Sequence, residues 1–262
     1  MKFVRLLPPG QWCLHEAVYE VIDRFNHRGK TFIEVGVGAG VLSRPLCDRG
    51  YEGLGIEFSD EAATMARREM ANHVDAGRYR LITDDIFNVQ PRQRRYAIGL
   101  SLMVIEHIDD DERFVRRIAD FLEPGGLLIV AAPGRRDRWG IEDETVGHFR
   151  RYDRSDLERV MVRSGLLDVQ VWSVAVPVAN LLFRAGNLLL RLGGESRKTQ
   201  LSKIDQTKTS GIREIPWKTV FPSWAKFLLN RTTLYPLFVV QRLFYRTNLG
   251  LTMVAFGRTS AR

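Results

Sequence analysis

The chain has 262 residues, 45% of them hydrophobic and 27% charged, with a formal net charge of +8. That is the profile of a globular protein able to bury a sizeable core. It excludes a disulfide scaffold, because Cys13 and Cys47 are the only cysteines, and their spacing carries no metal signal, so no metal site is expected and a reducing cytoplasm fits. The first ten residues are too short and too Pro-interrupted for a signal peptide, and no apolar run approaches the ~18–20 residues of a spanning helix. The charge is unevenly divided. From Ala175 onward there are 14 Lys/Arg against three acids, a net of +11, whereas the first 174 residues carry a net of −3.

In chain order, residues 31–35, 53–58, 78–83, 96–102 and 127–132 read as strands, each followed by a turn or capping signal. Between them lie helices over 41–49, ended by Gly50; over 60–72, capped by Ser59 with Asp60 and Glu61 in the first turn; and over 109–122, stopped by Pro124-Gly125-Gly126. A polar, Arg-rich loop after Pro133 leads to an amphipathic helix over 152–164 and a sixth strand over 166–174. A seventh strand, 251–257, appears only after a long basic, aromatic-rich stretch. Within that stretch 178–192 reads as an amphipathic helix, 193–211 as the most linker-like segment, and Pro216, Pro222 and Pro236 divide the remainder into short pieces. Strand–helix alternation of this kind predicts an α/β fold with a doubly wound, Rossmann-like sheet, and ligands at the carboxyl ends of its strands.

The chemistry-bearing residues fall at those ends. The first of these strands runs into Glu34-Val35-Gly36-Val37-Gly38-Ala39-Gly40, a turn that lets backbone approach a ligand closely. Position 41 is Val, which breaks the G-x-G-x-x-G dinucleotide fingerprint. Glu34 beside the loop would repel a pyrophosphate but attract a ligand carrying ammonium or sulfonium charge. Glu57 closes the second strand, where a carboxylate can accept hydrogen bonds from ribose hydroxyls, and Asp85 follows the third, within reach of an adenine amino group.

Glu34–Gly40 together with Glu57-Phe58, Asp84-Asp85-Ile86 and the run from Leu102 through Glu106-His107-Ile108 resembles the ordered motifs of class I S-adenosylmethionine-dependent methyltransferases. The last run is similar to the "EH" signature of their small-molecule, ubiquinone-type branch. The resemblance spans about residues 30–174. It implies S-adenosyl-L-methionine as cofactor, S-adenosyl-L-homocysteine as product, and a seven-stranded, mostly parallel sheet with an antiparallel last strand. It also implies that Glu34, Gly36, Gly38 and Gly40 hold the methionine end and Glu57 the ribose. Phe58 and Ile86 would sandwich the adenine, Asp85 would bind its amino group, and Leu102 would line the floor. Ala97 stands where relatives carry Asp, at the far end of its strand.

His107, after the fourth of these strands, and His148, in Gly147-His148-Phe149-Arg150-Arg151-Tyr152, are the candidate catalytic groups; each reads either as an acceptor-facing base or as a loop-ordering histidine. Arg150, Arg151 and Tyr152 read either as contacts for an anionic acceptor or as a solvated loop. Residues 1–174 with 249–262 are expected to form the cofactor-binding core, and 175–248 a helical insertion between strands six and seven. Basic, Trp-bearing amphipathic pieces suit an anionic membrane surface on the cytoplasmic side or a lid over an apolar, lipid-like small-molecule acceptor; an ordinary helical cap is the plain alternative. Two other readings stay open: an RNA methyltransferase docking through the insertion, and a non-catalytic cofactor-binding partner protein. Against RNA, the motifs of base methylation are missing and the charge is interleaved with large apolar residues.

Overall fold

The computed structural model describes residues 3–91, 95–183 and 219–261. In chain order these form β1 (Phe3–Arg5), α1 (Pro9–Phe25), β2 (Thr31–Val35), α2 (Ser43–Asp48), β3 (Glu52–Glu57), α3 (Asp60–Glu69), α4 (Ala71–Asp75), β4 (Tyr79–Thr83) and β5 (Tyr96–Leu102). They continue with α5 (Asp111–Ala119), β6 (Leu122–Pro133), α6 (Ile141–Val146), α7 (Arg154–Arg163), β7 (Leu167–Val174), β8 (Val220–Pro222), α8 (Arg231–Gln241) and β9 (Thr252–Arg258). Seven strands make one sheet in the order β4-β3-β2-β5-β6-β9-β7, parallel except for β9, which runs antiparallel to both β6 and β7. The expected sheet is therefore observed, its last strand inserted between the two before it. The order reverses between β2 and β5, which puts the switch-point crevice beside the glycine turn.

Alternation along the strands sorts the core into two layers. Phe32, Leu100, Ile129 and Ala131 pack beneath α1 and α2 with Val18, Ile22 and Leu46. Ile33, Ile56, Leu128 and Val130 pack on the opposite face with Phe114 and Ile118 of α5 and Leu157 and Met161 of α7. A sheet covered on both faces needs apolar residues at every strand position, which is why these strands read as near-continuous hydrophobic runs.

Several boundaries differ from the sequence reading. The helix expected over 60–72 begins at its Ser59 cap, whose side chain accepts from the Ala62 N–H, but it breaks at Met70 into α3 and α4. The helix expected from 109 starts at Asp111, capped by the Asp110 side chain accepting from the Arg113 N–H. The strand expected over 127–132 extends from Leu122 to Pro133, and Pro124-Gly125-Gly126 forms an irregularity within it, between the pairs Tyr96–Leu122 and Ile98–Leu127. A turn signal can lie inside a strand when the partner strand continues past it. Residues 178–183 are helical. The rest of the helix expected to 192, the linker-like 193–211, and Pro216 lie outside the described residues.

The C-terminal elements are joined to the N-terminal ones. β1 pairs antiparallel with β8, and α8 lies against α1. Arg231 reaches Glu16 at 2.8 Å and Arg242 reaches Glu20 at 3.0 Å. Tyr245 stacks on Trp172 of β7 with ring centroids 4.2 Å apart. Among the described residues no helix is long and apolar enough to cross a membrane.

Gln241 is the buried polar link in this junction: its amide nitrogen donates to the Cys13 carbonyl and its oxygen accepts from the Ala175 N–H, each at 3.0 Å. Gln241→Leu strands both backbone groups away from water, and urea unfolding should show a loss of about 2–4 kcal/mol. A loss below ~1 kcal/mol would mean that water replaces the amide.

Candidate functional site

The turn after β2 is built from glycines with positive φ: Gly36 at +79°, Gly38 at +58° and Gly40 at +81°. Their constraints differ. A Cβ on Gly36 would come within 2.2 Å of Val104 Cγ2, whereas at Gly38 nothing lies within 4 Å. Gly38 is thus required by its backbone conformation and leaves open space, the room that a ligand approaching the loop needs. The Gly36 N–H donates to the Ile56 carbonyl at 2.8 Å, tying the turn to β3.

Glu57, at the end of β3, connects three pieces of the crevice. Its Oε2 accepts from the Gly38 N–H and its Oε1 from the Ser59 N–H, both at 2.8 Å. Burial raises its pKa while these backbone bonds pull it back. The Phe58 N–H adds a further backbone bond, and the carboxylate keeps only part of its acceptor capacity free. Phe58, next in sequence, is 44% exposed, and Ile86 is buried beyond β4. Asp85 Oδ1 accepts from the Phe87 N–H at 3.0 Å, which fixes the loop after β4. These side chains stand at the ends of adjacent strands, β3 and β4.

Glu34 is enclosed more deeply than a surface carboxylate, at 3% exposure. Ser43 Oγ donates to it and lies 3.1 Å from the Tyr79 hydroxyl. Burial pushes the Glu34 carboxyl up to about 8, against the opposing Ser43 bond and with a further push from Glu57. Ser43 and Tyr79 carry no motif signal, so sequence reasoning missed them as partners.

At the end of β5, Leu102 pairs with Ala131 of β6, and Met103 turns the chain at a φ of 58°. A non-glycine residue in that region marks local strain beside the site. The turn that follows, Ile105–His107, brings Glu106 and His107 against the loop after α6. The Phe149 N–H donates to the Glu106 carbonyl at 2.7 Å, and the His107 and His148 rings lie edge to face with centroids 4.8 Å apart. The two histidines chosen separately from the sequence are therefore one cluster.

Glu106 is wholly buried, and neither carboxylate oxygen has a hydrogen-bond partner; its Oε1 lies 3.7 Å from His148 Nε2. Burial pushes its carboxyl up to about 7, with His148 opposing. Burial and the neighbouring His148 push His107 down to about 3, against a hydrogen bond to the Gly147 backbone. One ligand-capable atom each from Glu106, His107 and His148 lies within 4.8 Å of the others. Such a donor set can share a proton or a cation.

Asp143 is the functional residue that the sequence concealed. It sits in the acidic run Glu142-Asp143-Glu144, where it is indistinguishable from solvated charge. In the structure it is fully buried and accepts from His148 Nδ1 and Arg151 Nε, each at 2.8 Å, and from the Gly140 N–H at 2.8 Å. Burial alone would raise its pKa, but these bonds win and lower it. Arg151 is buried and also donates to the Gly134 carbonyl at 3.1 Å. Arg150 pairs with Asp111 at 3.1 Å, and the buried Tyr152 donates to the same carboxylate at 3.0 Å. The Gly147–Tyr152 loop is thus held by pairs to Asp111, Gly134 and Asp143 outside it, and Arg150, Arg151 and Tyr152 are not freely solvated groups.

A family profile described as a methyltransferase domain matches residues 6–171. Ubiquinone biosynthesis O-methyltransferase from Sinorhizobium fredii is 30% identical over 108 residues, which are 41% of this chain and 43% of that protein. Its counterpart from Nitrosomonas europaea is 31% identical over 112 residues, 42% of this chain and 46% of the relative. The chain therefore spans less than half the length of these relatives. A phosphoethanolamine N-methyltransferase from Haemonchus contortus, solved with S-adenosylhomocysteine, superposes with a TM-score of 0.58 at 15% identity, over 94% of this chain and 53% of that one. The cyclase SpnF superposes with a TM-score of 0.56 at 14% identity, over 95% and 81%. At these identities the structures speak to the fold alone, and SpnF is a reminder that one fold serves more than one chemistry.

The Glu34 environment has a measurable consequence. Its folded pKa, about 8, lies above the ordinary 4.5, so the folded chain keeps a proton that the unfolded chain releases. That contribution to stability is complete below the unfolded value and is lost as pH rises toward 8. Relative to Glu34→Gln, wild-type stability should fall between pH 5 and 8 by up to about 1.4 kcal/mol per pH unit in urea titrations. Parallel pH dependences would show Glu34 ionised in the folded chain.

Proposed function

The chain belongs to the methyltransferase-domain family, matched over residues 6–171, and from that premise we propose that it transfers the methyl group of S-adenosylmethionine to oxygen or nitrogen of a small, apolar or lipid-like acceptor. The observation that carries this reading is the Glu57 carboxylate, bound by the Gly38 and Ser59 N–H groups and flanked by exposed Phe58. Its remaining acceptor capacity suits a ribose diol, and Phe58 and Ile86 suit the two faces of an adenine whose amino group meets Asp85. Gly36, Gly38 and Gly40 shape the turn for the methionine end, with the open space at Gly38, and Glu34 supplies a carboxylate for its ammonium. Leu102 lines the floor.

When bound, the cofactor supplies a methyl group on a sulfonium. The protein's part is to align the acceptor, exclude water and take up a proton where the acceptor carries one. His148 and His107 are the acceptor-side groups. In this reading residues 1–174 with 249–262 form the cofactor-binding core and 175–248 a basic, aromatic-rich helical insertion. Calorimetry tests it: S-adenosylmethionine should bind the wild type, and Glu57→Ala should weaken binding about a hundredfold, the worth of two hydrogen bonds to a carboxylate. Equal affinities would remove the cofactor assignment.

Contact with an anionic membrane surface, on the inner face, is the second part of the reading. Residues 219–250 hold Lys226, Arg231, Arg242 and Arg246 and no acid. The same segment exposes Trp224, Phe227, Leu228, Tyr235 and Leu243, a mixture of basic and amphipathic side chains suited to a headgroup layer. In flotation at low salt, the protein should rise with phosphatidylglycerol-containing vesicles, and Phe227→Asp with Leu243→Asp should stay below. A wild type that stays below would end the membrane reading and leave methyl transfer standing.

A further inference from the structure

Resting on the methyl-transfer reading, we propose that His148 is the proton acceptor of the reaction and that Asp143, absent from every motif in the sequence, is the positioning residue that aims it. His148 Nδ1 lies 2.8 Å from Asp143 Oδ1, and Asp143 is an ionised, fully buried acceptor. A carboxylate only accepts, so Nδ1 carries the hydrogen, and in the neutral ring that leaves Nε2 as the acceptor. The loop that carries the ring is itself tied down. The His148 N–H donates to the Asp143 carbonyl at 2.9 Å, the Phe149 N–H holds the Glu106 carbonyl, and Arg151 and Gly140 complete the carboxylate's shell. A nucleophile's base oriented by a third group is the arrangement that makes an imidazole effective.

Nε2 faces the turn that follows β5: it lies 3.7 Å from Glu106 Oε1, beside the His107 ring, and that turn follows directly on the Leu102–Met103 bend. The charged and titratable groups around the ring are Asp143 of α6, Glu106 and His107 of the turn after β5, and Arg151 of its own loop. When an acceptor O–H attacks, the O–C bond forms as the S–C bond breaks, and the S–C electron pair goes to sulfur, leaving S-adenosylhomocysteine. The hydroxyl proton passes to Nε2. The resulting imidazolium is flanked by Asp143 at Nδ1 and by Glu106, whose otherwise unpartnered oxygens gain a donor; the proton then leaves to water. Glu106 thus acts as the second positioning carboxylate, made useful only by the charge that the reaction creates.

Two measurements on the full chain test this. Long-range proton–nitrogen NMR of 15N-histidine protein at neutral pH should show the His148 ring with the hydrogen on Nδ1 and a bare Nε2. A hydrogen on Nε2 in the wild type would overturn the proposal, with no variant needed. With labelled S-adenosylmethionine and a cell extract, His148→Ala should lower product formation on the order of 10²–10⁴-fold, leave S-adenosylhomocysteine affinity unchanged, and be partly restored by added imidazole. Asp143→Ala should lose on the order of tenfold or more and show a mixed tautomer at His148. Loss without imidazole rescue would overturn the base assignment. A stoichiometric metal in purified wild type that disappears from His148→Ala would do the same in favour of a cation site. If the wild type labels nothing, the methyl-transfer reading fails, while the tautomer still decides the Asp143 assignment.

Discussion

The crevice is organised by one hydrogen-bonded carboxylate. Glu57 stands at the end of β3 and takes the N–H of Gly38 on one oxygen and the N–H of Ser59 on the other. The first bond fixes the glycine turn leaving β2; the second fixes the start of α3, whose cap is Ser59 itself. Removing that carboxylate would free two backbone donors at once, in a region where Gly36, Gly38 and Gly40 resist collapse only through such ties. The spacing between the turn, the exposed Phe58 and the loop holding Asp85 and Ile86 therefore descends from one side chain. A ligand that used its free acceptor sites would find the cradle already assembled, which is the economy of preorganisation.

Around that anchor the protein buries other carboxylates and treats them differently. Asp143 receives three donors and is held ionised. Glu106 receives none and is pushed toward neutrality, as is Glu34, with only Ser43 opposing. The contrast follows from local geometry. Asp143 lies within the first turn of α6, near the Gly140 N–H and a buried guanidinium, whereas Glu106 sits in a single turn packed between β5 and the His148 loop. Desolvation without donors leaves a group ready to respond to an incoming positive charge. The acceptor side and the methionine side of the crevice each hold one such group.

Much of this was legible because it follows from short-range rules. The strands announced themselves through continuous apolar runs, and Glu34, Glu57 and Asp85 stand out because acids at consecutive strand ends have no packing reason to be there. The Ser59 cap is visible as a local hydrogen-bonding signal, whereas the Asp110 cap is hidden in an acidic run read as part of the helix itself. What stayed hidden depends on contacts across the chain. Ser43 lies 9 residues from Glu34 along the chain and Tyr79 a further 36 beyond Ser43, yet both share its pocket. Asp143 looked like one of three surface acids because nothing local says which of them faces inward. His107 and His148 were each visible, but that they share one wall with Glu106 is decided by how the loop after α6 folds back onto the end of β5.

The charge division read from the sequence acquires a structural meaning in the same way. The acidic excess of the first 174 residues and the basic excess after Ala175 are partly complementary surfaces of one molecule, because Glu16 and Glu20 of α1 face Arg231 and Arg242. These partly exposed pairs contribute little energy by themselves. They set register, while Gln241, Leu234, Phe238 and the Trp172–Tyr245 stack supply the buried contact. Pairing β1 with β8 closes the same junction from the other side. Composition divides the chain after residue 174, whereas packing joins its N-terminal strand and helix to the elements beyond residue 219. The segment leading into the first core strand thus borders both the cofactor-binding sheet and the basic elements, and a displacement of α8 would be felt by α1, the helix that lies against β9 and β7. Coupling of that kind needs a shared rigid element, and α1 is one that touches both.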